Sequence, residues 1–408
     1  MKICLIAPSL LVTPPEFGGA IETFTHELGM GLANLNNQVI ILSRNRIAKT
    51  IKINSNLTIY YLNIPENSLV RGLIYNIRIL LKLIELKSID ILHTQATAVF
   101  PSIYFASKLF RIPIIHTEHI AYPWIKTPFL TLLKAIKLPF EQVLGKFTLS
   151  KADKIVVSNY FMQKAMEIVN KKIHSKFEII PQGINTNLFN LNVNKNIVRK
   201  KFQLPERDIL ILYIGRIVPE KNIELLMKTI YQLKNKYENI KLMLVGPKSS
   251  RYKTNTESEG ISTYYLELKQ WINQNDLQDS IIFTGSVPYR KIPYFYAASN
   301  MLIQPSPLET FGRALFEAAA LGLPFITTQI GESPPAYLPK SAGIFLKNIN
   351  LMTLSSAIEQ LVKNEPQFRL NGIKEAKKIQ AHYTWEKIAE FYLRLYRKVL
   401  KKYKYEQK

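Results

Sequence analysis

Apolar runs of strand length alternate with longer stretches of helical periodicity along almost the whole chain. In the first half, "KICLIAP", "QVIILS", "LTIYYLN", "IDILHT", "PIIHTEH", "KIVVSN" and "KFEIIPQG" are short, continuous and rich in aliphatic residues. Between them lie "IETFTHELGMGLANL" and "NIRILLKLIELK", whose apolar positions recur at helical spacing. The second half repeats the style with "DILILYIGR", "IKLMLVGP", "SIIFTGSV", "NMLIQPS", "PFITTQ" and "GIFLK". Strands without polar alternation are buried on both faces, and strands separated by helices join through right-handed crossovers. The pattern predicts an α/β chain of two Rossmann-like, parallel-sheet domains with six or seven strands each.

A polar, Asn-rich stretch from Ile184 to Asp208 interrupts the alternation and ends in a helix stop near Pro205. The N-terminal domain is therefore expected over 1–187 and the C-terminal one over 188–384. Residues 385–408 follow as one long amphipathic helix with aromatics at Trp385, Phe391, Tyr392 and Tyr396. Pattern alone has that helix packing on its own domain.

The length of 408 residues agrees with two domains, and 47% hydrophobic content supplies two cores. Cys4 is the only cysteine, which excludes an internal disulfide and fits a reducing compartment. "MKICLIAPSL" is apolar for too few residues to act as a signal peptide and reads as a buried first strand. The longest apolar stretch is broken by Arg78, Lys82 and Glu85, short of the roughly 20 residues that span a bilayer. A cytoplasmic protein is expected. The net charge of +24 suits nucleic acid, an anionic membrane face or a phosphorylated substrate, although lysines solvated along the whole chain explain much of it. No helix-turn-helix, RNA-recognition or zinc signature accompanies the charge, so nucleic acid is not an expected partner.

In open parallel sheets, ligands bind beyond the carboxyl ends of the strands, where helix N-termini offer N–H groups. Three loops of the second half carry suitable residues there. Gly215, Arg216 and Lys221 follow "LYIGR", and a glycine with two nearby cations suits a diphosphate, although an ordinary surface loop can look the same. Gly285 and Val287 in "TGSVPYRK" can present backbone groups to a planar ring. In "QPSPLETFGRALFEAAALGLPFI", Glu309 precedes a helix whose first turn would use the N–H groups of Phe311, Gly312 and Arg313, and Glu317 lies eight residues further on. Glu309 is also a plausible capping carboxylate. Glu317 stands among nearly continuous apolar residues, where a solitary carboxylate needs a partner.

At these residues the sequence resembles the retaining nucleotide-sugar glycosyltransferases of family four, which have the two-domain GT-B fold. The resemblance rests on "ETFGRALFEAAALGLP" as a Glu-x7-Glu motif, on Gly215 to Asn222 as a "GR-x4-KN" loop, on "PPEFGGAIETF" with Gly18 and Gly19, and on "YTWEKIAEFYLRLY". It covers almost the whole chain. It implies two domains facing across a cleft, with helix 385–408 crossing back to the N-terminal one. It also implies a nucleotide-diphosphate sugar as donor, bound without a metal or other cofactor. Arg216 and Lys221 would neutralise the diphosphate, Glu317 would hold ribose hydroxyls, and Glu309 would hold sugar hydroxyls. Thr310, Phe311, Gly312, Arg313, Gly215 and Val287 would line the donor, with Phe311 and Gly312 giving backbone N–H groups. Gly18 and Gly19 would approach the diphosphate or the acceptor.

His119 would lie near the reacting sugar, against the alternative of a structural histidine. His116 and His119 should project from opposite sides of a regular strand, which argues against a shared metal. Two positions depart from the family pattern, "QGIN" at Gln182 to Asn185 and Gln95 in place of a second histidine. Six lysines beside Trp124, Phe129, Phe140 and Phe147 in the Lys126–Lys154 region suit an anionic membrane surface or, equally, a core-packed helix. A saccharide or lipid-linked acceptor in bacterial surface polysaccharide assembly would fit. An epimerase, a phosphorylase of the same fold and a silent binding subunit are the competing readings; no pyridoxal-phosphate lysine motif accompanies the second, and the Arg216, Lys221, Glu309 and Glu317 set argues against the third.

Overall fold

The computed structural model describes residues 1–65, 70–86, 88–120, 132–167, 171–248, 261–307, 310–329 and 337–406. Its Cα packing divides the chain into two compact units. Unit 1 comprises Met1–Pro15, Gly19–Gly183 and Tyr383–Lys408, and unit 2 comprises Glu16–Gly18 and Ile184–His382.

Unit 1 runs β1 (Lys2–Ile6), α1 (Ala20–Asn34), β2 (Gln38–Asn45), β3 (Lys49–Lys52), β4 (Leu57–Asn63), α2 (Arg71–Leu86) and β5 (Ile91–Thr94). It continues through α3 (Phe100–Phe110), β6 (Ile114–Glu118), α4 (Leu132–Lys151), β7 (Lys154–Val157), α5 (Tyr160–Glu167) and β8 (Phe177–Ile179). Its sheet has the order β3-β4-β2-β1-β5-β6-β7-β8, parallel throughout except for β3 against β4. Every first-half strand read from the sequence is present. The addition is β3, "KTIK", a fully exposed antiparallel edge strand whose polar residues give no apolar run to read. Helices cover both faces. Tyr75, Ile79, Phe100, Ile103 and Met162 pack with Cys4, Leu42 and Leu92 in one layer. In the other, Phe24 and Leu28 of α1 pack with Trp385, Ile388, Tyr392 and Tyr396.

Unit 2 contains α6 (Asn196–Lys201), β9 (Ile209–Ile214), α7 (Ile223–Lys234), β10 (Ile240–Val245), α8 (Thr263–Gln274), β11 (Ile281–Gly285) and α9 (Ile292–Ala298). After these come β12 (Met301–Gln304), α10 (Arg313–Ala320), β13 (Phe325–Thr328), β14 (Gly343–Leu346), α11 (Leu351–Lys363) and α12 (Glu365–His382). The closing helix α13 (Trp385–Glu406) belongs to unit 1, where it packs on α1. The second sheet has the order β11-β10-β9-β12-β13-β14 and is parallel in every pairing.

Both sheets reverse their winding direction at one point. In unit 1 the chain leaves β1 for β2 on one side and later returns to β5 on the other. In unit 2 the same reversal separates β9 from β12. Loops leaving adjacent strands at such a point diverge, and the opening between them is where open α/β sheets bind ligands.

Candidate functional site

The unit 2 switch point assembles the loops after β9 and β12. Two side chains stitch them together: Asn222 Nδ2 donates to the Pro305 carbonyl at 3.3 Å, and Gln304 Nε2 donates to the Ile214 carbonyl at 2.8 Å. In the first loop, Tyr213 OH donates to the Arg216 carbonyl at 2.9 Å, fixing the turn that carries the guanidinium. Arg216 is half-buried, and among the described residues its side chain has no hydrogen-bond or ion-pair partner. Lys221 is half-buried and closes a short 3-10 turn, Pro219–Lys221, before α7. The two cations foreseen for a diphosphate thus share one short loop at the switch point.

The second loop holds Thr310, Phe311 and Gly312; Glu309 lies outside the described residues. Gly312 caps α10 with φ 75°, a left-handed conformation that costs an L side chain energy and glycine little. The first helical bond runs from the Phe316 N–H to the Gly312 carbonyl at 3.0 Å, so the helix itself gives no acceptor to the N–H groups of Gly312, Arg313, Ala314 and Leu315. Phe311 precedes that turn, so the donors unused by the helix begin at Gly312, one residue later than the sequence reading placed the first of them. Its ring is 3% exposed and stacks on Tyr337 at 4.3 Å, and Tyr337 OH donates to its carbonyl at 2.6 Å. Phe311 is therefore the packing anchor that holds the loop down. At the far end, Gly322 N–H bonds the Ala319 carbonyl and Leu323 N–H bonds the Ala318 carbonyl, which stops the helix before Pro324.

Glu317 is 4% exposed and has the partner its apolar surroundings demand. That partner is Arg313, one turn earlier, whose Nε donates to Glu317 Oε1 at 2.9 Å. Tyr289 OH donates to the same oxygen at 3.2 Å, and Tyr296 OH donates to Oε2 at 2.9 Å. Arg313 Nη2 also donates to Tyr289 OH at 2.7 Å, and its guanidinium lies 5.0 Å from that ring's centre. Burial opposes the Arg313 charge, but Tyr289 and Glu317 more than offset it and keep the group firmly protonated. Burial first, then the adjacent Glu317 carboxylate, push the Tyr296 hydroxyl well above its ordinary range, so it remains a donor. With one donor on Oε2, the carboxylate retains capacity to accept another.

Tyr289 and Tyr296 were not singled out in the sequence. Tyr289 sits beyond Val287 in the loop after β11, whose Gly285 has φ 72°. Tyr296 belongs to "IPYFYAA", indistinguishable from core aromatics by pattern. The same loop carries a neighbour from far away in sequence: Phe17 pairs with Pro288, and Tyr289 N–H donates to the Glu16 carbonyl at 3.2 Å.

The unit 1 switch point lies after β1 and β5. The chain after β1 is held by buried side chains: Arg44 Nη1 donates to the Leu10 carbonyl at 2.8 Å, and Glu22 Oε1 accepts from the Leu11 N–H at 3.2 Å. Ser43 Oγ accepts from the Thr13 N–H at 3.0 Å, and the hydroxyls of Tyr61 and Tyr75 donate to the carbonyls of Thr13 and Ala7 at 2.8 and 3.0 Å. Burial pushes the Glu22 carboxyl above its usual range, although its hydrogen bonds and Arg44 work against this. Gly18 and Gly19 end the loop with φ 63° and 69°, and Gly19 caps α1.

His119 follows β6, half-buried, with its ring edge-on to Phe24 of α1 at 4.7 Å and Nε2 2.9 Å from Gln95 Oε1. His116 points to the other layer, edge-on to Phe100 of α3 at 6.2 Å. The two histidines take opposite faces of the sheet. Residues 121–131 of the basic segment lie outside the described residues. In its described part Phe140 is 70% exposed and Val143 67%, while Phe147 packs on Phe100 and Tyr104. Among the described residues no helix is long and apolar enough to cross a membrane.

Comparison with known proteins matches both units. Residues 17–188 match the model of Glycosyltransferase Family 4, and residues 194–379 match that of Glycosyl transferases group 1. The chain is a family-4-like glycosyltransferase of the GT-B type. Among its curated relatives, the D-inositol 3-phosphate glycosyltransferase of Acidothermus cellulolyticus is 22% identical over 302 residues, 72% of this chain and 64% of that protein. The glycosyltransferase thus matches just under two thirds of that relative's length. The phosphatidylinositol N-acetylglucosaminyltransferase GPI3 subunit of Saccharomyces cerevisiae is 21% identical over 396 residues, 94% of this chain and 80% of that protein. Among solved structures, the sucrose-phosphate synthase of Thermosynechococcus elongatus superposes with TM-score 0.81 at 20% identity, covering 98% of this chain and 99% of that one. Anabaena HepE in complex with UDP-glucose gives 0.70 at 15% identity, covering 96% and 97%. At these identities the structural matches establish the shared fold of the glycosyltransferase and nothing finer.

Proposed function

We propose that the chain transfers a sugar, with retention at the anomeric carbon, from a nucleotide-diphosphate sugar to a saccharide or lipid-linked saccharide, as in the assembly of bacterial surface polysaccharide. The observation that carries this reading is Arg216, a half-buried guanidinium without a protein partner among the described residues at the C-terminal edge of the switch-point strand β9. A half-buried cation without a protein partner favours an anionic ligand, and a diphosphate fits a loop that also carries Lys221 and Gly215. The α10 N-terminus across the switch point adds donors of the same sign. The UDP-glucose complex of Anabaena HepE supports a nucleotide-sugar donor, and the phosphatidylinositol-directed yeast relative supports an acceptor carried on lipid.

On this reading unit 2 holds the donor. Arg216 and Lys221 stabilise the leaving diphosphate without a metal ion, and Glu317, pre-oriented by Arg313, Tyr289 and Tyr296, accepts the ribose hydroxyls. Tied by three protein donors, Glu317 is a fixed acceptor rather than a nucleophile. Glu309, Thr310 and the N–H groups around Gly312 meet the sugar, and Val287 and Gly285 meet the base. Unit 1 supplies the acceptor side, with Gly18, Gly19 and His119 toward the reacting groups. The acceptor hydroxyl attacks from the leaving-group side and a phosphate oxygen takes its proton, so the protein contributes position and charge. The exposed Phe140 and Val143 with their neighbouring lysines support contact with an anionic membrane surface.

A thermal-shift panel of nucleoside diphosphates and their sugars, run with chelator, tests the donor site. A ligand at about one hundred times its Kd should add about 2.7 kcal/mol, a shift of about 5 °C or more for a domain of this size. Arg216→Ala should abolish the shift without lowering the unliganded Tm. No response to any member of the panel, or a response only with divalent metal, would overturn the reading.

A further inference from the structure

The outward side of α2 is as apolar as its inner one. Tyr75, Ile79 and Leu83 pack into the unit 1 core, yet Leu73, Ile77, Leu81 and Ile84 form a second stripe along the same helix and are 42–61% exposed. α3 packs beside α2 and adds the exposed Phe105 and Leu109. The two helices carry Arg71, Arg78, Lys82 and Lys108 against Glu85 alone. A single exposed aliphatic is ordinary on a protein surface, whereas these six large residues on adjoining helices mark an interaction face.

Beside the stripe, between α2 and the β3–β4 edge hairpin, lies a cavity of about 380 Å³. Lys49, Arg78 and Lys82 line it against one carboxylate, Glu85. Glu85 is already held by Lys82, whose Nζ lies 2.8 and 2.7 Å from its two oxygens. The side chains of Lys49 and Arg78 have no carboxylate or hydrogen-bonding partner among the described residues; Lys49 rests over the Tyr61 ring at 5.1 Å. The cavity therefore keeps two uncompensated cations, a fit for one phosphate group. Leu81 belongs to both features, since it lines the cavity and stands in the stripe. An anion bound there sits where the aliphatic track begins.

We propose that this cavity is a headgroup site for an anionic phospholipid of a bilayer, with the phosphate on Lys49 and Arg78 and an acyl chain along Leu81, Ile77 and Leu73. The inference deepens the membrane contact read above from Phe140 and Val143, and rests on that reading in placing the enzyme beside a bilayer. A bilayer supplies both things this face lacks: phosphate at headgroup level and hydrocarbon directly beneath it. A second copy of the chain, related by a two-fold axis on the same face, would set these cations against their own equivalents. An acidic protein would answer the cations and leave the aliphatic stripe without an apolar partner. α2, α3 and α4 pack on the same side of the unit 1 sheet, so one membrane surface can meet the stripe and the exposed Phe140.

Two measurements on the full-length protein test the site. In the first, it is sedimented with vesicles of phosphatidylcholine, with and without phosphatidylglycerol. Binding should require phosphatidylglycerol, and Lys49→Gln and Arg78→Gln should each weaken it about fivefold, the scale for one cation at an anionic surface. The pair Ile77→Ser and Leu81→Ser should weaken it at least about tenfold. All four positions are exposed or on the edge strand, so an unchanged Tm shows that each variant folds. In the second, dihexanoylphosphatidic acid below its micellar concentration is titrated calorimetrically into Arg216→Ala, which removes the proposed diphosphate site. It should bind, lose about 25-fold with Lys49 and Arg78 both replaced by glutamine, and be unaffected by Lys108→Gln, outside the cavity. Glycerol phosphate, the same anion without chains, should bind at least about tenfold more weakly. Equal binding of glycerol phosphate, or an equal loss in Lys108→Gln, would overturn the lipid site. Vesicle binding that depends on Phe140 and Val143 but not on α2 would overturn it and leave the earlier membrane reading standing. Absence of wild type from both vesicle types would end both.

Discussion

Arg313→Met tests the cluster beneath the proposed donor site. The arginine side chain is 20% exposed and Glu317 5%, so the 2.9 Å pair lies largely out of water. Removing one member of a buried pair costs about 3–5 kcal/mol, because the other charge is left uncompensated. Two discounts apply here. The guanidinium is partly wet, and the hydroxyls of Tyr289 and Tyr296 still donate to the stranded carboxylate. A loss of about 2–3 kcal/mol is expected, and methionine preserves the volume so that no cavity adds to it. Glu317→Gln removes the charge but keeps an acceptor for Tyr296, and should cost about 1–2 kcal/mol. The double substitution should be less damaging than the sum of the two, with a coupling of at least about 1 kcal/mol. Urea unfolding reads the result; a two-unit chain calls for following transitions separately, and Trp271 on α8 reports unit 2. Additive single effects, or a loss below about 0.5 kcal/mol for Arg313→Met, would refute the view that this pair anchors α10.

Other substitutions probe separate links of the argument. Glu22, with its folded carboxyl raised by burial, binds a proton more tightly folded than unfolded, so its contribution falls as pH rises from the ordinary carboxylate range through the raised folded value. Glu22→Gln, which still accepts from Leu11, should flatten that loss, and wild type and variant should differ more in urea midpoint at pH 7 than at pH 4. Gly312→Ala meets both φ 75° and a Cβ contact of 3.0 Å with Leu315 Cδ1, and should cost about 1 kcal/mol or more by thermal unfolding. Lys221→Ala should fold normally and lose transfer by at least about a hundredfold, the scale for one electrostatic contact to a developing charge; wild-type turnover would remove it from the diphosphate site.

The architecture was legible because buried parallel strands carry continuous apolar runs. β3 escaped because an exposed edge strand of Lys49, Thr50, Ile51 and Lys52 needs no such run. The loop that carries Arg216 and the helix that carries Glu317 were legible for a related reason: charged residues stand out against apolar neighbours. Their partners were not. Tyr296 satisfies Glu317 from a helix whose sequence reads as core, and Tyr289 reaches it from another strand's loop. Only Arg313, at the i−4 position, was visible as a partner, and the sequence reading gave it to the donor instead. Gln95 looked like a missing histidine, yet the fold sets it between His93, two residues before it, and His119 beyond the neighbouring strand, the second a contact that no local pattern shows.

Crystals of the protein grown with a nucleoside diphosphate and chelator test the central claim most directly. The account predicts the diphosphate against Arg216 and Lys221, its ribose on the free lone pairs of Glu317, and no metal ion between the phosphates. A diphosphate bound elsewhere on unit 2, or one reached by neither cation, would contradict it.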